Sequence, residues 1–193
     1  MTSEERHKCV VIPIIHSANG NKILTVRDKR FKEWTFITGG CRRREITDPL
    51  KCALRELDEE TRGTFRLSRD YYKYFNFKTK VRSPEELERD RRENIKVTCV
   101  YHVYIWTLQL SDFDQRKTVQ KFEEEKDKME IRKKNKQPIK KSNDENDFIS
   151  FDTFTEFINK RTWGFIHDHV IANPDFVPII ETFFPSNIRN DQK

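Results

Sequence analysis

The stretch that most restricts the fold is IKVTCVYHVYIWTLQL, residues 95–110. It is long and rich in β-branched and aromatic side chains, which fit a pleated, packed surface, so it reads as a strand. Shorter runs of the same kind precede it. CVVIPII at 9–15 reads as a buried strand entered from a short polar tail, not as a signal peptide. SANGNK carries Asn19-Gly20, the dipeptide of a tight hairpin turn, and KILTVRD at 22–28 is the returning strand. EWTFITGG at 33–40 reads as a third short strand ending in glycines. YYKYFNFKTK at 71–80 alternates aromatic and polar residues, as a half-buried strand does.

Residues 48–61 read as a helix. Asp48 suits the N-cap and Pro49 the first turn, while Leu50, Ala53, Leu54 and Leu57 form an apolar stripe. Gly63 follows where a C-cap glycine would sit. SPEELERDRRE at 83–93 is a charged loop or short helix. Residues 112–147 are highly charged, with one weakly helical stretch around 116–134. They are expected to form a mobile, solvated insertion at about 112–146 between core elements. FISFDTFTEFINKR enters a helix near Asp152, and GFIHDHVIANPDFVPIIETFF gives one or two final helices. Mixed strands, an internal helix and C-terminal helices predict an α/β sandwich with a mixed sheet rather than strict βαβ alternation. The 193 residues suit one domain, 1–193.

No run of 18 apolar residues exists, so no transmembrane helix is expected. Cys9, Cys41, Cys52 and Cys99 are scattered without a CxxC pair, which suggests reduced thiols in an intracellular protein rather than a zinc site or disulfide framework. The chain has 38 Lys and Arg against 32 Asp and Glu, a net charge of +6. Residues 116–141 hold 11 basic and 5 acidic residues, so the rest of the chain, with 27 of each sign, is neutral.

The segment GGCRRREITDPLKCALRELDEETRG, 39–63, poses the chemical question. Glu56, Glu59 and Glu60 stand at i, i+3 and i+4, on one face of the predicted helix, where like charges repel. Such a face is either simply solvated or a set of hard oxygen ligands for Mg²⁺ or Mn²⁺. Arg55 can brace Glu59 four residues on.

Gly39, five residues, Glu45, then Arg55-Glu56-Leu57-x-Glu59-Glu60 resembles the Nudix box, Gx5Ex7REUxEExGU. Two positions depart from it. Nine residues separate Glu45 from Arg55 where the family has seven, and the final glycine position is Arg62, with Gly63 one later. The resemblance implies a mixed sheet between helices and hydrolysis of a nucleoside diphosphate linked to another group. It implies that Glu56, Glu59 and Glu60 bind Mg²⁺ or Mn²⁺, that the Gly39 carbonyl joins them, and that Arg55 orients them. CALRELDEET looks like the helix of the mRNA-decapping Nudix enzymes, and NDENDFISF at 143–151 resembles their Glu-x3-Ile-x-Trp, with Phe151 at the Trp position. That match picks Glu145 as general base or further metal ligand, beside Glu60 and Arg55 in catalysis, with Asp144 and Asp147 as competitors. Arg42, Arg43 and Arg44 are candidates to hold substrate phosphates or form a wet loop. Trp34 is a candidate to stack on a base or to pack in the core.

Three substrate readings follow. One is the 5′ cap of mRNA, released as 7-methyl-GDP with 5′-monophosphate RNA. The second is a small polyanion: a diphosphoinositol polyphosphate, a dinucleoside polyphosphate or a nucleotide. The third is a catalytically silent RNA-binding module, against which the intact glutamate set argues. The stretch from Phe148 to Phe184 looks like the tail of decapping enzymes of large DNA viruses, of the poxvirus and African swine fever virus types. The basic segment offers phosphate contacts that capped RNA would use. Together these favour decapping, in the cytoplasm, and in the host cytoplasm for a viral protein.

Overall fold

The two apolar runs are strands that lie side by side. In the computed structural model, which describes residues 2–184, β1 (Thr2–Ser17) pairs in parallel with β6 (Ile95–Gln109). The register runs from Thr2↔Ile95 to His16↔Gln109, so each pair joins residues 93 apart in the chain. Residues 2–8, read from sequence as a tail, are therefore the first half of β1. Their side chains are polar, so periodicity gives no signal; the ladder to β6 supplies partners for the backbone instead.

The Asn19-Gly20 turn leads into β2 (Gly20–Asp28), antiparallel to β1, with Ser17 opposite Gly20. Gly20 has φ 102°, a conformation that glycine enters without a side-chain clash. The 33–40 stretch forms two strands rather than one. β3 (Trp34–Thr35) pairs with β2, and β4 (Ile37–Gly40) pairs with β1 across Lys8–Val11. β5 (Tyr72–Thr79) lies antiparallel on β6, and β7 (Asn146–Asp152) lies on β2. The sheet is mixed, of order β3-β2-β1-β6-β5, with β4 also on β1 and β7 also on β2.

Both faces of the sheet are covered, which is why β1 reads as a continuous apolar run rather than an alternating one. Val10, Ile12 and Ile14 point to one side, against Phe154 and Phe157 of α4 (Phe154–Ile158), Ile166 and Val170 of a π-helical turn (Ile166–Ile171), and Ile180 of α5 (Val177–Phe183). Cys9, Val11 and Ile15 point to the other, against Leu50, Ala53 and Leu57 of α1 (Pro49–Glu60) and Phe122 of α3 (Asp112–Lys134). The expected α/β/α sandwich is the observed architecture. A short charged helix, α2 (Pro84–Arg92), is capped by Ser83, whose Oγ accepts from the Glu86 amide at 3.2 Å.

The region expected to be a mobile insertion is dominated by α3, a 23-residue helix packed against β7. Ser111 caps its start, and Arg132, Lys133 and Lys134 occupy its last turn, where they complement the helix dipole. Its buried positions, Gln115, Thr118, Phe122 and Met129, form a single narrow stripe, and two of them are polar. That stripe is too thin and too polar to stand out within a run of charges. Among the described residues no helix is long and apolar enough to cross a membrane.

Candidate active site

The end of β4 and the C-terminal half of the facing helix α1 bring the box residues together. Arg55 sits at the centre. Its Nε and Nη2 grip Glu45 at 2.8 and 2.9 Å, its Nη1 reaches Glu56 at 2.7 Å and Glu59 at 3.1 Å, and Nη2 also donates to the Gly40 carbonyl at 2.9 Å. Glu45 is buried in a 3-10 turn (Arg43–Glu45) and also accepts the Arg42 amide at 2.8 Å. The guanidinium beside it, opposed by partial burial, holds its carboxyl at about 2. The longer loop between Gly39 and the helix therefore leaves Glu45 in place as the partner that orients Arg55.

Glu56, Glu59 and Glu60 are all buried, so the acidic face is not a solvated one. They do not form one converging cage: among the described residues no three acidic, His or Cys side chains are grouped to hold a metal ion. Glu56 and Glu59 turn to Arg55. Glu60 accepts from the Thr38 amide at 3.2 Å and from Asn146 Nδ2 at 3.1 Å. Burial pushes the Glu56 carboxyl up to about 7 against the pull of Arg55. Burial and the charge of Glu56 push Glu60 well above its ordinary range. Burial also opposes the Glu59 charge, but Lys140, 2.8 Å away, and Arg55 bring the net shift below the ordinary value.

These residues suit a divalent cation. Glu56 keeps a raised proton affinity even with Arg55 beside it, and Glu60 has no cationic partner among the described residues, so both carboxylates are short of positive charge. Mg²⁺ characteristically takes only one or two carboxylates, keeping waters and substrate phosphates for the rest. Gly39 adds a steric argument: a Cβ built there would overlap the Glu56 carboxylate. Only a glycine lets the β4 backbone pass so close to that side chain.

In front of Glu60 lies a cavity of about 670 Å³. Gly39, Glu60 and Glu145 line it at the carboxylate end; Phe31, Tyr101, Trp163 and Phe165 line its walls. Trp163 stacks on Phe165 with centroids 4.8 Å apart, and Phe165 lies 4.7 Å from Tyr101. Asp28, Glu33 and Asp168 also face this space, Glu33 with Arg161 3.5 Å away. Of the basic residues that line it, Lys8 and Arg82 are both bound to Glu86, at 3.0 and 2.9 Å, and His169 is the third.

Of the three candidates for the base, only Glu145 reaches the cavity. Asp144 is held by Lys29 at 2.8 Å and Lys133 at 2.7 Å, and Asp147 by Arg27 at 2.8 Å and Lys32 at 2.6 Å. Glu145 has no cationic partner among the described residues. Partial desolvation, with the charges of Glu59 and Asp28, raises its carboxyl above the ordinary value.

The other sequence candidates are placed differently. Arg42 turns to Glu59 at 3.1 Å, while Arg43 and Arg44 are exposed on the 3-10 turn; none of the three lines the cavity. Trp34 packs against the core beneath α4 and the π-helical turn, with Lys160 Nζ 3.7 Å from its ring centre, and it too is absent from the cavity wall. Trp163, from the loop after α4, takes the place on the wall. A lone aromatic in a loop carried no pattern to mark it.

Arg62 is the other residue that sequence spacing undervalues. It holds φ 54° at the box's glycine position, and Gly63 follows at 70°. A left-handed conformation costs a non-glycine residue about 1–2 kcal/mol. Its side chain runs across the Phe122 ring, 3.9 Å from the centre, and donates to the carbonyls of Asn143 at 3.0 Å and Asn146 at 2.6 Å.

A family model described as NUDIX domain matches residues 5–141. Comparison with curated proteins gives no match. Among solved structures, the C-terminal domain of mouse MUTYH, in complex with human PCNA, is 14% identical, covers 94% of this chain and 99% of its own, and has a TM-score of 0.50. The NUDIX domain of Shewanella oneidensis NrtR complexed with ADP ribose is 11% identical over 92% of this chain and 85% of its own, with a TM-score of 0.49. At 14% identity the first of these speaks to the fold alone.

Proposed function

We propose that this chain, which belongs to the NUDIX domain family, is a divalent-metal-dependent pyrophosphohydrolase whose substrate is the 5′ cap of RNA. It would release 7-methyl-GDP and leave a 5′-monophosphate RNA. The observation that carries this reading is the character of the cavity: aromatic walls together with Asp28, Glu33 and Asp168, next to Glu60 and Glu145. A neutral base would gain only stacking there. A methylated purine bearing a positive charge gains stacking, cation–π attraction and nearby carboxylates. The same acidic residues count against a densely phosphorylated inositol, whose charge they would repel.

The other end of the site suits the RNA body. Lys140 joins the carboxylate helix at Glu59, and Lys134, Lys136 and Lys141, exposed and without an ion pair among the described residues, stand close to it in sequence. A chain of phosphates leaving the cleavage point would meet these charges.

Glu56, Glu59, Glu60 and the Gly39 carbonyl would hold Mg²⁺ or Mn²⁺. Such an ion, when bound, offsets phosphate charge and lowers the pKa of coordinated water. Arg55 fixes the carboxylates on their helix, and Glu45 fixes Arg55. Glu145, with its raised proton affinity and free carboxylate, would accept the proton of the attacking water. The aromatic wall would hold the base and exclude solvent.

Product analysis tests this. Cap-labelled RNA, incubated with the protein and Mg²⁺ or Mn²⁺ beside dinucleoside and inositol pyrophosphates, is expected to release labelled 7-methyl-GDP. Glu60→Gln should abolish that release while leaving the fold intact. Turnover of the small molecules alone would overturn the cap reading and leave the hydrolase.

A further inference from the structure

We infer that Arg62 is a positioning residue for the catalytic site: it clamps the turn that presents Glu145, and this is why an arginine stands where the family motif has glycine. The inference uses the proposed function only for the role of Glu145.

Among the described residues, the hydrogen bonds and ring contact of the Arg62 side chain all go to that turn or to the helix behind it. Nε donates to the Asn143 carbonyl and Nη2 to the Asn146 carbonyl, so the two bonds bracket Asp144 and Glu145. The Phe122 ring of α3 supports the guanidinium from one side. Asn146, whose carbonyl Arg62 holds, uses its own amide to donate to Glu60. One side chain therefore ties the end of α1 to both flanks of Glu145 and, through Asn146, to a proposed metal ligand.

The local terms oppose an arginine here. It takes a left-handed backbone that glycine would adopt freely. Its guanidinium is taken partly out of water with no carboxylate paired to it among the described residues. Its Nη1 and the neighbouring Asn143 Oδ1 are buried with no hydrogen-bond partner. Glycine would avoid the backbone strain, the desolvated charge and the unpartnered Nη1 alike. A residue that breaks several local rules while aiming its bonds at one functional turn is placed for that turn.

The test compares Arg62→Gly, which suits the backbone and removes the clamp, with Arg62→Lys, which keeps a charge and can reach one carbonyl. Hydrogen exchange is read along the chain, and kcat and KM on capped RNA with Mg²⁺. In Arg62→Gly the amides of residues 143–147 should exchange faster by about tenfold or more, while those of 53–57 in α1 stay protected. Its kcat should fall about 10- to 100-fold with KM within about twofold, the scale of a displaced catalytic group. Arg62→Lys should recover part of that loss. Unchanged exchange at 143–147, faster exchange throughout the chain, or an unchanged kcat despite a loosened turn would each overturn the inference. The exchange measurement needs no substrate, so if the protein does not cleave capped RNA, protection at 143–147 still decides whether the clamp exists.

Discussion

Gly39 and Glu56 share one volume: the space a Cβ would take on the strand residue is filled by the carboxylate of the helix residue. Gly39→Ala must therefore push Glu56 or α1 away from β4. Turnover should drop by about 10²-fold or more, the cost of a displacement near 1 Å at a catalytic centre. Steady-state kinetics, with circular dichroism to confirm that the helix persists, checks this; an alanine variant with wild-type kcat would refute the packing argument.

Glu45 should govern acid stability. Its carboxyl falls from 4.5 in the ordinary state to about 2 in the folded one, chiefly through Arg55. A lowered folded value stabilises the protein above about pH 4.5, and the contribution is lost as pH falls towards 2. Glu45→Gln should then cost on the order of 3 kcal/mol near neutrality and almost nothing near pH 2. Denaturant unfolding across that range measures it.

Phe122 is fully buried, although the segment around it is among the most charged in the chain. Phe122→Ala should destabilise the protein by about 3–5 kcal/mol, as for other buried aromatics. A loss below about 1 kcal/mol, measured by urea unfolding, would return α3 to the status of a dispensable insertion.

Because α3 is packed, the basic charge at its end and in the segment after it is best tested without a deletion. Replacing Lys134, Lys136 and Lys141 together by glutamine should flatten the salt dependence of capped-RNA binding. The slope of log K against log salt should fall by about 0.7 for each RNA phosphate that these lysines neutralise. An identical slope would remove them from the RNA path.

Trp163 offers a separate handle on the base. Trp163→Ala should weaken 7-methyl-GDP about 5- to 100-fold, the range of one aromatic stacking partner. Trp34→Ala, outside the cavity, should change stability rather than affinity. Equilibrium binding with each variant distinguishes the two tryptophans.

The sequence speaks clearly where local and tertiary demands coincide. In α1 Pro49, the apolar spacing and the box residues all mark the same twelve-residue helix, Pro49–Glu60, although Asp48 stands at the N-cap without a side-chain capping bond and Thr61, not Gly63, is the C-cap. It is silent where the partner lies far away: residues 2–8 are a strand because of β6, and nothing in TSEERHK says so. It misleads where charge hides a thin apolar stripe, as along α3. Glu145 is legible through a motif, but the reason it differs from Asp144 and Asp147 is not, since only folding supplies those two with Lys29, Lys133, Arg27 and Lys32. The aromatic wall of the cavity is illegible because Phe31, Tyr101, Trp163 and Phe165 come from separate places in the chain.

The parallel pairing of β1 with β6 also sets a clock. At translation rates of about 5–20 residues per second, the 93 residues between partners take roughly 5–20 s to make. Throughout that interval CVVIPII has an open edge, apolar and rich in β-branched residues, of the kind that recruits other nascent chains. The hairpin with β2 and the short β4 can shield only its other side. Yield in the cell should accordingly depend on how quickly ribosomes cross the first hundred or so codons and on holdase chaperones that cover this edge, more than on the stability of the finished protein.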